Sequence, residues 1–83
     1  MLTIYELKPL PEQNQKSFYG KATVTVTKSD IQRLYSYDTL IMTRDIDGNY
    51  TRQWNGWSMT TGKHIRAFSG LNKKQFLNLQ MEG

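Results

Sequence analysis

Trp54-Asn55-Gly56-Trp57-Ser58-Met59-Thr60-Thr61-Gly62-Lys63-His64-Ile65-Arg66-Ala67-Phe68 is the stretch from which the fold can be read. Two tryptophans flank a glycine, three hydroxyl side chains follow, and the only histidine of the chain precedes an Ile…Phe pair. This order describes the end of a strand, a corner, and the start of a helix. Ser58, Thr60 and Thr61 each carry an oxygen able to accept from the free N–H groups of a first helical turn. Ile65 and Phe68 are three residues apart and share a helix face, with His64 beside them. The pattern predicts a helix from about Thr60 to Ser69, closed by Gly70. Asn72-Lys73-Lys74-Gln75 then matches a capping box, so a second short helix should run to about Gln80 with Phe76 and Leu79 on one side.

Upstream, the periodicity changes from helical to alternating. Leu2 to Leu7 reads as an edge strand, and Pro9 and Pro11 within a polar run make residues 8–15 a surface loop. Ser17 to Thr27 alternates, with Phe18, Ala22, Val24 and Val26 on one face and Tyr19, Lys21, Thr23 and Thr25 on the other. Lys28-Ser29-Asp30 reads as a turn, although Ser29 could instead cap a short helix reaching Leu34. Leu34 to Arg44 reads as one central strand, with Leu34, Leu40 and Met42 opposite Tyr35, Tyr37 and Ile41. Its Ser36 and Asp38 fall on the Leu34 face, where buried polar groups need partners. Asp45-Ile46-Asp47-Gly48-Asn49 is a strong hairpin turn, and Tyr50 to Trp54 forms the return strand. The expected fold class is therefore α+β. A small, mostly antiparallel sheet of three to four strands is covered on one face by one or two short C-terminal helices.

The composition limits what such a domain can do. With 83 residues the chain forms one domain whose core must draw on its large side chains, among them two Trp, five Tyr, three Phe and four Met. There is no cysteine, which excludes disulfides and thiolate metal sites and suits a reducing compartment. No apolar run is long enough to span a membrane and no signal pattern opens the chain, so it reads as a soluble cytoplasmic protein. The net charge of +4 is uneven: residues 49–83 hold Arg52, Lys63, Arg66, Lys73 and Lys74 against Glu82 alone. That basic half is either a solvated helix surface or a partner surface.

Recognisable catalytic chemistry is absent from the spacing. His64 with Asp38 and Ser36 or Ser58 has the residue types of a hydrolytic triad, but no Gly-x-Ser-x-Gly elbow accompanies them. No second metal ligand lies one helical turn from His64, and the glycines stand apart rather than in a phosphate loop. The reading is a non-enzymatic module without a cofactor or metal. Tyr50, Arg52 and Trp54 with Lys63 and Arg66 have the composition of a single-stranded nucleic-acid groove. The same aromatics could equally be the core beneath the helix.

Three stretches carry a resemblance: Ser17-Phe18-Tyr19-Gly20-Lys21-Ala22, then Leu34-Tyr35-Ser36-Tyr37-Asp38-Thr39, then Trp57 to Phe68 with its Ser-x-Thr-Thr-x-x-His-Ile-x-x-Phe core. They resemble a family of small uncharacterised proteins encoded by phages and mobile elements of Gram-positive bacteria. The resemblance brings no established activity. It implies an accessory protein of the bacterial cytoplasm that binds a host protein or nucleoprotein, with inhibition of a host defence system as one such role. A largely sequence-independent single-strand binder is the alternative. Arg52, Lys63, Arg66, Lys73 and Lys74, with Tyr19 and Tyr35 as aromatic contacts, are the expected partner-binding residues. Ser36, Asp38, Thr39, Ser58, Thr60, Thr61 and His64 are the expected fold-fixing polar network between strand and helix.

Overall fold

A computed structural model of the chain describes residues 3–10, 13, 18 and 21–81. The chain runs β1 (Thr3–Glu6), β2 (Ala22–Val26), β3 (Gln32–Ser36), β4 (Thr39–Arg44), β5 (Tyr50–Arg52), α1 (Met59–Ser69) and α2 (Lys73–Leu77). The strands form one five-stranded antiparallel meander in the order β1-β2-β3-β4-β5. The α+β class and the two C-terminal helices agree with the sequence. The sheet has five strands rather than three or four.

The fifth strand arises because the segment Leu34 to Arg44 folds back on itself. Ser36 pairs with Thr39, leaving Tyr37 and Asp38 as a two-residue turn. Tyr37 takes a left-handed φ of 57° there, a conformation uncommon for a bulky residue. Its N–H donates to the Lys21 carbonyl at 2.7 Å, which ties the turn to the start of β2. The next hairpin follows its sequence signal. Asp45 Oδ1 accepts from the N–H groups of Asp47 and Asn49, and Gly48 sits at φ 86° where a Cβ would be strained.

Register then decides which side chains meet. Ala22 and Val24 on β2 and Leu34 and Ser36 on β3 point to one face and are buried. Met42 lies opposite Leu34 whereas Leu40 lies opposite Tyr35, so Ile41 is the extra residue of a bulge. This shift lets two consecutive residues, Ile41 and Met42, both enter the core, while Leu40 joins Tyr35 on the other face. Alternation alone had paired Leu40 with Met42. Phe18 is buried but precedes β2, which begins only at Ala22. Ser17, Tyr19 and Gly20 lie outside the described residues.

The helices cover the inward face. Ile65 of α1 and Phe76 of α2 are fully buried with Leu7, Phe18, Ala22, Val24, Leu34, Ile41 and Met42. At about 1.5–3 kcal/mol per large side chain, this cluster supplies most of the drive to fold. The N-cap of α1 is Ser58, whose Oγ accepts from the Thr61 N–H at 3.1 Å, and Gly70 ends the helix with its N–H on the Arg66 carbonyl. Asn72 and Gln75 form the full reciprocal capping box of α2, yet the helix stops at Leu77, short of Gln80. The chain beyond it returns to the sheet: the Arg52 N–H donates to the Gln80 carbonyl, and Met81 bridges Arg52 in parallel. Thus the β5 edge is closed by the chain's own C-terminal segment. Among the described residues, no helix is long and apolar enough to cross a membrane.

Trp57 joins the two helices. Its ring lies 5.9 Å from Phe76 and also covers Gly62, where an added Cβ would meet the indole at 2.5 Å. Gly62 therefore gives up helix propensity to admit the ring. In an open helix, Gly→Ala gains about 1 kcal/mol. Here Gly62→Ala should lower stability, by about 1–3 kcal/mol as expected of an overpacked core. A urea unfolding midpoint that rises on this substitution would contradict the packing.

Candidate functional site

Two places gather the chemistry that the sequence singles out, one on each side of the sheet. The inner one joins Ser36 and His64. Strand β3 directs Ser36 inward, one pleat beyond Leu34, and the second turn of α1 sets His64 above it. Ser36 Oγ lies 2.8 Å from His64 Nδ1 and 3.1 Å from Thr61 Oγ1. All three side chains are buried, Ser36 to 2% exposure and His64 to 1%. Phe18 stands edge-on to the imidazole at 4.6 Å and Tyr37 lies 6.3 Å from it, with the Lys21 ammonium over the Tyr37 ring. Burial holds the His64 pKa below its ordinary value, and the positive charges of Lys21 and Lys63 lower it further. The neutral ring is thus the form that the fold selects.

Only part of the expected polar network assembles here. Ser36, Thr61 and His64 do, and Ser58 supports them as the helix cap. Asp38 and Thr39 do not, because they lie exposed at the β3–β4 turn rather than along a continuous strand. Thr60 is exposed on the outer side of the first turn of α1. The Ser–His contact has two triad residue types, but Asp38 is not behind the ring. A substrate would also have to reach a serine and an imidazole that are both sealed from solvent. The contact couples strand to helix. Among the described residues no group of three or more His, Asp or Glu side chains is placed to share a metal ion.

The outer place is the opposite face of the sheet, on which no described helix packs. Register sets two rows across it. Ile4, Thr25, Arg33, Thr43 and Thr51 form one, and Thr23, Tyr35 and Leu40 lie in the next. The face is not flat. A depression of about 490 Å³ is lined by Ile31, Arg33, Tyr35, Leu40, Thr43, Asp45, Thr51 and Gln53. A smaller one of about 300 Å³ is lined by Ile4, Thr23, Thr25, Tyr35, Tyr37 and Asp38. Tyr35 belongs to both and stands between them.

The expected partner-binding residues are divided between the two sides. Tyr35 is on the outer face. Lys63, Arg66, Lys73 and Lys74 are exposed on the helices at the other side. Arg52 points inward: its guanidinium lies 5.9 Å from the Phe76 ring, one terminal nitrogen donates to Asn55 Oδ1 at 3.2 Å, and its Nε is buried without a hydrogen bond. It packs β5 against α2 and is half-buried there. Tyr19 lies outside the described residues. Tyr50, Trp54 and Trp57 are half-buried against the core, so the aromatics expected of a single-strand groove belong largely to the packing.

Arg33 is the residue that sequence reasoning missed. The signal was its position two residues before Tyr35, which puts both on one face of a strand. It was obscured because the strand was read as starting at Leu34.

A family model matches residues 5–80 and is described as a family of unknown function, DUF8033. The chain belongs to that family. The match spans the second half of β1, strands β2 to β5 and both helices, so the Ser36–His64 contact and the centre of the outer sheet face, with Arg33 and Tyr35, lie within the family's domain. No curated protein and no solved structure matches the chain.

The buried imidazole makes stability depend on pH in a defined direction. With the folded pKa below the unfolded value of about 6.5, the unfolded state binds the proton more readily. The contribution is complete above about pH 6.5 and is lost as pH falls through the range below it. Denaturation at pH 7 and pH 5 should show this loss. His64→Asn, which keeps a polar atom near the Nδ1 position, should flatten it. Ser36→Ala should cost about 1–3 kcal/mol at pH 7, the range for leaving a buried partner unpaired. A stability independent of pH across this interval would contradict the assignment.

Proposed function

We propose that this protein is a non-enzymatic docking module that binds a partner macromolecule through the outer face of its sheet. The carrying observation is the division of labour between the two faces. The helices and the Ser36–His64 contact cover one, while the other offers Tyr35 between two depressions with Arg33 beside it. A tyrosine and an arginine at the centre of a concave patch, rimmed by threonines and Gln53, have the composition of interface hot spots.

The resemblance in Ser17–Ala22, Leu34–Thr39 and Trp57–Phe68 supports the setting of a phage or mobile-element accessory protein. In that setting the partner is a host protein or nucleoprotein of the bacterial cytoplasm. Occupying a partner's surface is enough to inhibit it, which suits a defence system as the target. Single-strand binding draws less support. Such a groove needs aromatic faces and a row of cations on one surface. Here Lys63, Arg66, Lys73 and Lys74 are across the molecule from Tyr35.

Affinity capture from host lysate tests the reading, run with wild type, Tyr35→Ala and a Lys73→Ala/Lys74→Ala double variant. One stoichiometric host protein should be recovered with and without nuclease. Tyr35→Ala should reduce its recovery at least tenfold while keeping the wild-type circular dichroism, and the lysine variant should retain it. Recovery that depends on the lysines and not on Tyr35 would move the function to the helix side. Nuclease-sensitive recovery would favour nucleic acid.

A further inference from the structure

The outer face also carries information about the chemistry of its partner. Among the outward strand positions Arg33 is the single cation, central on the middle strand of five. It lines the larger depression, and among the described residues its guanidinium has neither an ion pair nor a side-chain hydrogen bond. Lys21, at one corner, is engaged over the Tyr37 ring. Around Arg33 lie Thr25, Thr43 and Thr51 in its own row, with Tyr35, Leu40 and Ile31 as the apolar part of the basin. Acidic residues frame this arrangement: Asp38 lines the smaller depression beside Tyr35, and Asp45 at the β4–β5 turn lines the larger one.

One unpaired guanidinium between two anions suits a solitary negative charge, not a chain of them. Five strands spaced about 4.8 Å apart make a face about 19 Å wide. A stacked nucleic-acid strand places one phosphate about every 3.4 Å and would lay several across that width. Only one would meet Arg33, and others would approach Asp38 or Asp45. A protein can instead place one carboxylate at Arg33, where a guanidinium accepts it in a two-pronged, charge-assisted contact. Its neighbouring apolar side chains can then cover Tyr35, Leu40 and Ile31, excluding water from the pair.

We propose that the outer sheet face docks a protein whose contact surface presents one Asp or Glu carboxylate to Arg33, flanked by apolar side chains over Tyr35 and Leu40. This deepens the docking reading and rests on it. The long-range attraction is small for such a partner, so recognition depends on the local fit around one charge rather than on the net +4 of the chain.

Selection of a displayed random 12-residue peptide library against the full chain tests this, followed by synthesis of the enriched peptides. Enriched sequences should share one acidic residue with apolar neighbours. In amide spectra, they should shift Arg33, Tyr35, Thr43 and Thr51. Replacing the peptide acid by its amide, or Arg33→Gln in the protein, should each weaken binding about tenfold, and together no further. Enrichment without an acidic residue, no enrichment, or equal binding by the amide peptide would overturn the inference. So would a twelve-nucleotide oligothymidine that binds this face more tightly than the peptides and depends on Arg33. If these outcomes occur while Tyr35→Ala still abolishes capture of the cellular partner, the carboxylate inference fails and the docking surface stands. If Tyr35→Ala leaves capture intact, both fail.

Discussion

The contact between Ser36 Oγ and His64 Nδ1 constrains the rest of the fold. A strand and a helix can press apolar surfaces together in many offsets, because dispersion and hydrophobic attraction have little directional preference. A buried hydroxyl opposite a buried imidazole admits few, since a slip that parts them leaves polar atoms dry and unpaired. Thr61 completes the arrangement from one turn earlier in α1, and Ser58 starts the helix at the phase that brings both residues down onto β3. Leu34 and Met42 then meet Ile65 in the core. The polar contact sets the register of the packing, and the apolar cluster supplies its strength.

This fastening uses one side of the sheet only. Helix α1, Trp57 and α2 all gather on the inward face, and the return of Gln80 and Met81 to β5 closes that edge. A small domain buries a modest share of its surface. This one concentrates burial on a single face and leaves the other patterned with threonines around Arg33 and Tyr35. The rigid part and the presented part are therefore separate, and side chains on the outer face can change without disturbing the core contacts. The docking reading rests on that separation.

Much of the helical half was legible in the sequence. Ser58, Gly70, Asn72 and Gln75 announce helix ends through local hydrogen bonds, and such signals need no knowledge of the remainder of the chain. Ser36 and His64 were also recognisable as polar residues at apolar positions that needed partners. The strand half was harder. Tyr37-Asp38 turns the chain with a left-handed tyrosine, and no glycine or asparagine marks it. Ile41 bulges, which inverts the alternation that assigned Leu40 to the core. Arg52 appeared as an exposed cation because its cover, Phe76 and the C-terminal segment, is distant in sequence. These misses came from a long-range contact, from a bulge, and from a turn marked only by Ser36 and Asp38. Arg33 has a simpler cause: its strand begins at Gln32, two residues before Leu34.

The central claim is that a neutral, sealed His64 holds α1 to β3. Long-range nitrogen–proton spectra of the imidazole, recorded from pH 8 downward on the folded protein, test it directly. A ring that is still mainly neutral at pH 6.5, in slow exchange with water, is the predicted result. The ring shifts should reach their midpoint only at lower pH. A ring that titrates near its ordinary value and exchanges freely with solvent would contradict the account, because Ser36 and His64 would not then be buried against each other.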